Sequence, residues 1–175
     1  MRIPEEFVDF CATISHCSWD DAHHRSLICS DERIADFDAV KDEYAEQLNI
    51  AHKKPCSADA IFLDGEGEYV LVEFKSGSVD PKGVIRKIYD SALILADREN
   101  VSISWLREHG RFVLVYPKSG ITDDDRNDFA RRHLMKQTSQ DASREVRMFI
   151  PENIIGFFYK DAIEMTPDRF IQTFL

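Results

Sequence analysis

The sequence predicts an α/β or α+β domain, with a central mixed sheet and helices on both of its faces. Two apolar segments, 58–64 and 68–75, flank a short glycine loop, which is the pattern of a β-hairpin. An amphipathic segment over 81–96 and an apolar segment over 112–116 follow, and they predict a helix and a further strand. Strands and helices in this order form layered domains.

The chain has 175 residues, which is the size of one domain that can bury a core without disulfides. We expect a core over about 31–117, a helical N-terminal extension over 1–30 and an α/β completion over 118–175. The sequence contains no apolar run long enough to span a bilayer, and its first residues are acidic where a secretory signal would be basic. We therefore expect a cytoplasmic protein with no membrane partner and with reduced cysteines.

The charge is strongly acidic and uneven. The formal net charge is -10, and residues 1–50 carry four basic against twelve acidic residues. Phosphate backbones attract lysine and arginine, so an acidic chain disfavours non-specific binding of nucleic acid. A nucleic-acid site would need a local basic patch or a bound metal ion.

The N-terminal third predicts two helices. Pro4 followed by two glutamates is typical of a helix start, and Phe7, Phe10 and Ile14 recur at helical spacing. Ser30 is a candidate cap for a second helix that runs to about His52. Its predicted buried stripe consists of Ile34, Phe37, Val40, Tyr44, Leu48 and Ala51.

The hairpin brings unlike charges together at one end. A three-residue loop, Gly65-Glu66-Gly67, makes the numbers of facing residues add up to 132, so that Asp59 faces Glu73. Facing residues have Cβ atoms about 5 Å apart on one side of the sheet, and Lys75 shares that side. Facing carboxylates repel each other, and a Mg²⁺ or Mn²⁺ ion would compensate them because hard cations bind carboxylate oxygens. Lys75 could then orient an attacking water or steady negative charge on a phosphate.

The remaining elements follow from helix caps and apolar runs. Asp80-Pro81 is a cap and first position for the helix over 81–96, and Thr122 with three aspartates opens another helix. Residues 145–150 and 154–159 predict short strands. Thr166-Pro167 predicts the start of a final helix.

Asp59, followed by Glu73-Phe74-Lys75 at the end of an apolar strand, resembles the PD-(D/E)xK nuclease-like superfamily over about residues 31–117. EFKSG with IRKIYDSALIL is also similar to a set of small bacterial proteins of unassigned function. The resemblance implies a restriction-endonuclease-like core and a metal-dependent DNA nuclease. It implies Asp59 and Glu73 as ligands of Mg²⁺ or Mn²⁺ and Lys75 as the catalytic lysine.

Many members of the superfamily add a carboxylate from the preceding helix, and helix geometry favours Glu43 over Glu46 for that role because Glu43 borders the buried face. Two features depart from the superfamily pattern. Ala58 stands where a proline is usual before the acid, and the sequence does not place the extra strand that normally precedes the hairpin.

Four basic residues are candidate phosphate contacts. Lys82, Arg86 and Lys87 lie on the predicted helix after the motif, and Lys54 lies just before the hairpin. A solvated helical face explains them equally well. The cysteines and histidines of the first thirty residues match no familiar zinc spacing, which favours ordinary core and surface positions over a zinc site.

Two alternatives remain open at the level of sequence. Asp59 could cap a strand while Glu73 and Lys75 form an exposed ion pair of well under about 1 kcal/mol. The fold could also serve as a non-catalytic binding module of the immunity or antitoxin kind. Such a module would use its acidic N-terminal half to bind a basic partner protein.

Overall fold

The computed structural model describes residues 1–137 and 147–175, and these residues form an α+β fold around a mixed sheet. The strands are β1 (Cys11–Thr13), β2 (Trp19–Asp20), β3 (Arg25–Ser26), β4 (Arg33–Asp36), β5 (Ala60–Leu63), β6 (Tyr69–Phe74), β7 (Gly110–Val115) and β8 (Asp161–Met165). The α-helices are α1 (Ile14–Cys17), α2 (Phe37–Gln47), α3 (Pro81–Arg98), α4 (Ile103–His109), α5 (Asp123–Gln137) and α6 (Pro167–Phe174). Short 3-10 helices span Glu5–Phe10, Ala51–Lys53, Lys118–Gly120 and Glu152–Ile154.

The central sheet has the strand order β1-β4-β5-β6-β7-β8 in the described part of the chain. Neighbouring strands from β1 to β6 are antiparallel, whereas β6, β7 and β8 run parallel to one another. Parallel neighbours need a crossover connection, and α3 with α4 provides the one between β6 and β7. The predicted mixed sheet is confirmed.

The hairpin has the predicted register. Ala60 faces Val72 and Leu63 faces Tyr69, so that paired residue numbers add up to 132. Gly67 has a φ of +83°, the left-handed conformation that a three-residue loop needs at this position. The Asp64 side chain closes the loop by accepting hydrogen bonds from the backbone N–H groups of Glu66 and Glu68 at 2.9 and 3.0 Å.

The predicted helix over residues 31–52 is wrong at both ends. Residues 33–36 form β4, which pairs with β5 through Ala35 opposite Ile61, and the helix begins only at Phe37. Asp36, and not Ser30, caps the helix by accepting a hydrogen bond from the Ala39 N–H at 3.0 Å. A strand, β4, therefore precedes the hairpin where the sequence predicted the start of a helix.

The helical extension predicted for residues 1–30 is also largely wrong. Glu5–Phe10 is a 3-10 helix, Cys11 begins strand β1, and β2 pairs with β3 in a separate small hairpin. Phe7 is buried as expected, whereas Cys11 is exposed. Phe7 and Phe10 are three residues apart, and this spacing fits the 3-10 helix without any α-helix.

The later helices largely begin where the caps predicted. The Asp80 carboxylate accepts hydrogen bonds from the Lys82 and Gly83 N–H groups, and Pro81 is the first residue of α3. Thr166 caps α6 in the same way, with Pro167 at its first position. Strand β7 occupies the segment predicted as 112–116, whereas α4 was not predicted.

The two strands predicted near the C-terminus are corrected. Residues 147–150 are irregular, 145–146 lie outside the described residues, and 154–159 form the end of a 3-10 turn and a loop. The last strand is β8, which pairs in parallel with β7. Three backbone N–H groups, of Met148, Phe149 and Ile150, bind the Glu164 carboxylate at 2.7–3.0 Å and replace strand pairing in this segment.

Apolar side chains cover both faces of the sheet, as predicted. One face carries Ile61, Leu71 and Phe112 and packs against Val84 and Ile88 of α3. The other face buries a second cluster that includes Ile14, Phe62, Val72, Val113 and Phe170. Side chains alternate along a strand, so Glu73 points to the face of Leu71, which is the face that α3 covers.

Candidate functional site

The candidate site lies at the end of the hairpin opposite to its loop. Asp59 immediately precedes β5, Glu73 is the fifth residue of β6, and Lys75 directly follows β6. The Lys75 N–H donates to the Val115 carbonyl at 2.8 Å, which continues the β6–β7 pairing beyond the end of the strand. These three predicted side chains therefore meet at one edge of the sheet.

Glu73 is fully buried between two lysines. Its Oε1 atom lies 2.7 Å from Nζ of Lys75, and its Oε2 atom lies 2.7 Å from Nζ of Lys87. The Glu73 side chain is 0% exposed, whereas the side chains of Lys75 and Lys87 are 31% and 22% exposed. Oε1 lacks a partner with good hydrogen-bond geometry among the described residues, so its contact with Lys75 is electrostatic.

Asp59 shares the ammonium of Lys87. Its Oδ1 atom lies 3.0 Å from Nζ of Lys87, and its Oδ2 atom accepts a hydrogen bond from the Phe74 N–H at 2.6 Å. Burial and the negative charge of Glu73 raise the pKa of Asp59 to about 8, although Lys87 and the Phe74 N–H oppose this shift. Ionisation of Asp59 thus needs nearby positive charge, and its neutral form persists to about pH 8 even with the Lys87 ammonium 3.0 Å away.

Lys87 carries that positive charge in this structure. Burial alone lowers the pKa of Lys87, but the charges of Asp59 and Glu73 outweigh burial and the net shift is upward. The helix α3 covers the face to which Glu73 points, and this packing brings Lys87 to the carboxylates. We call Asp59, Glu73, Lys75 and Lys87 the motif cluster.

An open cleft of about 930 Å³ borders the motif cluster. Asp59, Phe74 and Lys75 form part of its wall, and Ser76, Gly77 and Ser78 continue that wall after the motif. The other wall comes from the first forty residues. It consists of His16, Cys17, Ser18, Trp19, Asp20, Asp21, His23, Asp36 and Asp38.

Glu43 lies outside the motif cluster and the cleft wall. Its carboxylate accepts a hydrogen bond from Gln47 at 2.8 Å and lies 3.5 Å from the guanidinium of Arg98. The carboxylates of this segment that reach the cleft are Asp36 and Asp38 instead. The helix begins six residues later than expected, so its first turn borders the cleft and Glu43 lies farther along the helix.

The four candidate phosphate contacts have different positions. Lys87 belongs to the motif cluster, and Arg86 lies 3.5 Å from Asp90 of the same helix. Lys54 forms an ion pair with Asp42 at 2.9 Å. Lys82 is exposed in the first turn of α3. The structure thus brings one of the four to the motif carboxylates.

The segment around β2 is tied to the residues after the motif lysine. The Asp20 carboxylate accepts a hydrogen bond from the Ser76 hydroxyl and lies 2.5 Å from Nδ1 of His23. These contacts hold the pKa of Asp20 well below its usual value. Gly120 packs on the Gly77 carbonyl so closely that an added Cβ would lie 2.4 Å from the oxygen. Ser76 and Gly77 are therefore contacted by the segment around β2 and by Gly120.

Sequence reasoning missed the cleft wall formed by the first forty residues. Asp20, Asp36, Asp38 and the Cys17 thiol approach the motif only through tertiary packing. Burial raises the pKa of Cys17, and the charges of Asp36, Asp59 and Asp38 raise it further. The one available sequence signal was the acidic balance of residues 1–50, which indicated a charged surface without giving its position.

Within residues 1–137 and 147–175, no group of three or more His, Cys, Asp or Glu side chains is arranged to hold a metal ion. In the same residues, no helix is both long and apolar enough to cross a membrane. Comparisons with protein-family models, with curated proteins and with solved structures give no match for this chain.

Proposed function

We propose that this protein is a Mg²⁺- or Mn²⁺-dependent nuclease that hydrolyses the phosphodiester bonds of DNA, with a restriction-endonuclease-like core. One observation carries the proposal: Asp59, Glu73 and Lys75 converge beside an open cleft at the end of a covered sheet. The order of β4, β5, β6, α3 and β7 also supports it, because a hairpin, a helix and a parallel strand follow each other as the resemblance implies. The preference for DNA rests on the resemblance.

The donor chemistry of the motif cluster suits a hard cation. Asp59 and Glu73 supply carboxylate oxygens, and the Glu73 Oε1 atom is buried without a hydrogen-bond donor of good geometry among the described residues. The pKa of Asp59 is raised by burial and by the charge of Glu73, because the two carboxylates share one buried region. A third ligand from Glu43 is no longer supported, and water from the open cleft can complete the coordination of a Mg²⁺ ion.

Each side chain then has a role that follows from its position. Asp59 and Glu73 would hold the metal ion, which supplies an activated water and neutralises charge on the phosphate when bound. Lys75 reaches the cleft and would orient the attacking water or stabilise negative charge on the phosphate oxygens. Ser76, Gly77 and Ser78 line the same wall and would border a substrate strand bound in the cleft.

The test is cleavage of single- and double-stranded DNA by the purified protein with Mg²⁺ or Mn²⁺. Asp59→Asn and Lys75→Ala should each lower the rate by roughly 100-fold or more, as loss of one electrostatic group in a reactive site does. Asp64→Asn is the matched control, because Asp64 lies at the other end of the same strand. Equal cutting by all four proteins, or none by the wild type, would remove the proposal.

A second function is favoured by the charges of the cleft. Lys87 already contacts both motif carboxylates, and five aspartates line the cleft against one lysine. Such a surface fits a non-catalytic module that binds a basic partner protein. A lysine-rich peptide would then bind with strong salt dependence and would lose affinity when Asp20, Asp21 and Asp38 are changed to asparagine. Unchanged binding by that triple variant would exclude the cleft as the binding surface.

A further inference from the structure

We propose that Lys87 is a built-in competitor of the metal ion, whose ammonium the metal must displace before it can bind both motif carboxylates. This inference rests on the proposed function and adds a residue that sets the metal requirement. The observation behind this inference is the position of the Lys87 ammonium between Asp59 and Glu73.

The four carboxylate oxygens of the cluster show why the two cations exclude each other. Oδ2 of Asp59 faces the Phe74 N–H, and Oε1 of Glu73 faces Lys75. The remaining two oxygens both face Nζ of Lys87, at 3.0 and 2.7 Å. An ion held by both carboxylates would need Oδ1 of Asp59, because Oδ2 already accepts the Phe74 N–H, and Oδ1 faces the ammonium.

The position of Lys87 allows this ammonium to leave. Val84 and Ile88 of α3 are buried against the sheet, which fixes the helix, whereas the Lys87 side chain is 22% exposed. A lysine stem of four methylene groups can carry its charge from a buried position to water without any movement of the helix. Displacement therefore requires a rotamer change and not a change in the fold.

Competition between Lys87 and the metal ion predicts the direction in which metal affinity changes when Lys87 is removed. A metal ion entering the wild-type cluster must displace an ammonium that contacts both carboxyl groups, whereas without Lys87 only the Lys75 contact with Glu73 would remain. Removing the ammonium should therefore strengthen metal binding. We expect Lys87→Met to bind Mn²⁺ at least tenfold more tightly than the wild type, with methionine filling a similar volume.

Calorimetric titration with Mn²⁺ alone tests this, using the full chain without nucleic acid. Lys82→Met is the matched control, because Lys82 lies on the same helix but is exposed in its first turn. Tighter binding by Lys87→Met, with Lys82→Met equal to the wild type, supports the competition. Equal or weaker binding by Lys87→Met overturns it, because Lys87 would then leave the metal affinity unchanged or assist it.

A measurement on the wild type avoids any folding defect of the variant. Acylation of lysines, followed by mass spectrometry of peptides, reports how often each ammonium is free. Saturating Mn²⁺ should increase the acylation of Lys87 several-fold and leave that of Lys82 unchanged. Unchanged acylation of Lys87 at a metal concentration that saturates binding would overturn the competition.

The outcomes separate this inference from the proposed function. If the wild type binds Mn²⁺ and Asp59→Asn does not, while Lys87→Met binds no tighter, the metal site stands and the competition fails. If neither the wild type nor Lys87→Met binds Mn²⁺, both the metal site and the competition fail.

Discussion

The two ends of the hairpin formed by β5 and β6 both carry acids paired with bases, but they are built differently. At the loop end, Arg111 contacts Asp64 and Glu66, both at 2.8 Å, and Lys160 contacts Glu68 at 2.8 Å. Arg111 serves these two acids through different guanidinium nitrogens, and Glu66 is 71% exposed. We call this group the loop cluster.

The motif cluster instead gathers its charges at the buried end of the sheet. Two carboxylates share Lys87, and one of them, Glu73, is fully buried. Charge alone therefore does not mark a site on this strand pair, since Oε2 of Glu68 in the loop cluster is also buried without a hydrogen-bond partner among the described residues. The motif cluster differs in the full burial of Glu73 and in its place beside the cleft of about 930 Å³.

The largest difference should appear when each cluster loses its lysine. Lys87→Met should lower the free energy of unfolding by about 3–5 kcal/mol in metal-free buffer, because Glu73 stays buried with less compensating charge. Lys160→Met should lower it by about 0–1 kcal/mol, since Lys160 is 42% exposed. Urea unfolding of both variants measures this, and equal losses would remove the distinction between the clusters.

The stability of the wild type and that of Asp59→Asn should depend differently on pH, because the asparagine amide does not titrate. The raised pKa of Asp59 means that the folded protein holds this proton more tightly than the unfolded chain. This stabilisation is complete below the unfolded pKa and is lost as the pH rises through about 8. The stability of the wild type relative to Asp59→Asn should therefore fall between about pH 4 and pH 8, by at most about 1.4 kcal/mol per pH unit. A difference that rises over this range would contradict the assignment.

The loop cluster should matter for stability and not for chemistry. Arg111→Met should lower the free energy of unfolding by about 1–3 kcal/mol, because Asp64 is largely buried and loses its charged partner. Cleavage of DNA at a temperature where the variant is folded should match that of the wild type. A specific loss of cleavage by the folded variant would extend the site to the loop end.

The smallest effect should be the response to salt. Ion pairs of exposed side chains are screened, so about 1 M salt should remove most of the loss caused by Lys160→Met. The loss caused by Lys87→Met should persist, because the Glu73 carboxylate is not in contact with solvent. Parallel urea titrations at low and high salt compare the two, and a common salt response would place both clusters at the surface.

The parts of the fold that sequence predicted are those with a strong local pattern. The hairpin register followed from Gly67 and the alternation of apolar residues, and the start of α3 followed from Asp80 and Pro81. Strand β4 was missed because Ile34, Phe37 and Val40 recur at helical spacing although only the last two lie in the helix. A four-residue strand that runs directly into a helix is too short to show its own alternation of apolar and polar residues.

The sequence predicted only the part of the site that depends on pairing within the hairpin. Asp59 and Glu73 face each other through strand pairing, which sequence can anticipate. The meeting of Lys87 with them depends on how α3 packs across the sheet, and the approach of Asp36 and Asp38 depends on where α2 begins. Glu43 was chosen because it borders the buried face of the predicted helix, but a helical pattern does not show which turn of the helix borders the cleft.

Crystals of the wild type soaked in Mn²⁺, with anomalous diffraction recorded at the manganese edge, would locate the metal ion. We expect one strong peak bound by oxygens of both Asp59 and Glu73, with the Lys87 ammonium displaced from its present contacts. A fully occupied peak at the aspartates of the cleft wall alone, or no peak while Lys87 still bridges the carboxylates, would contradict this expectation.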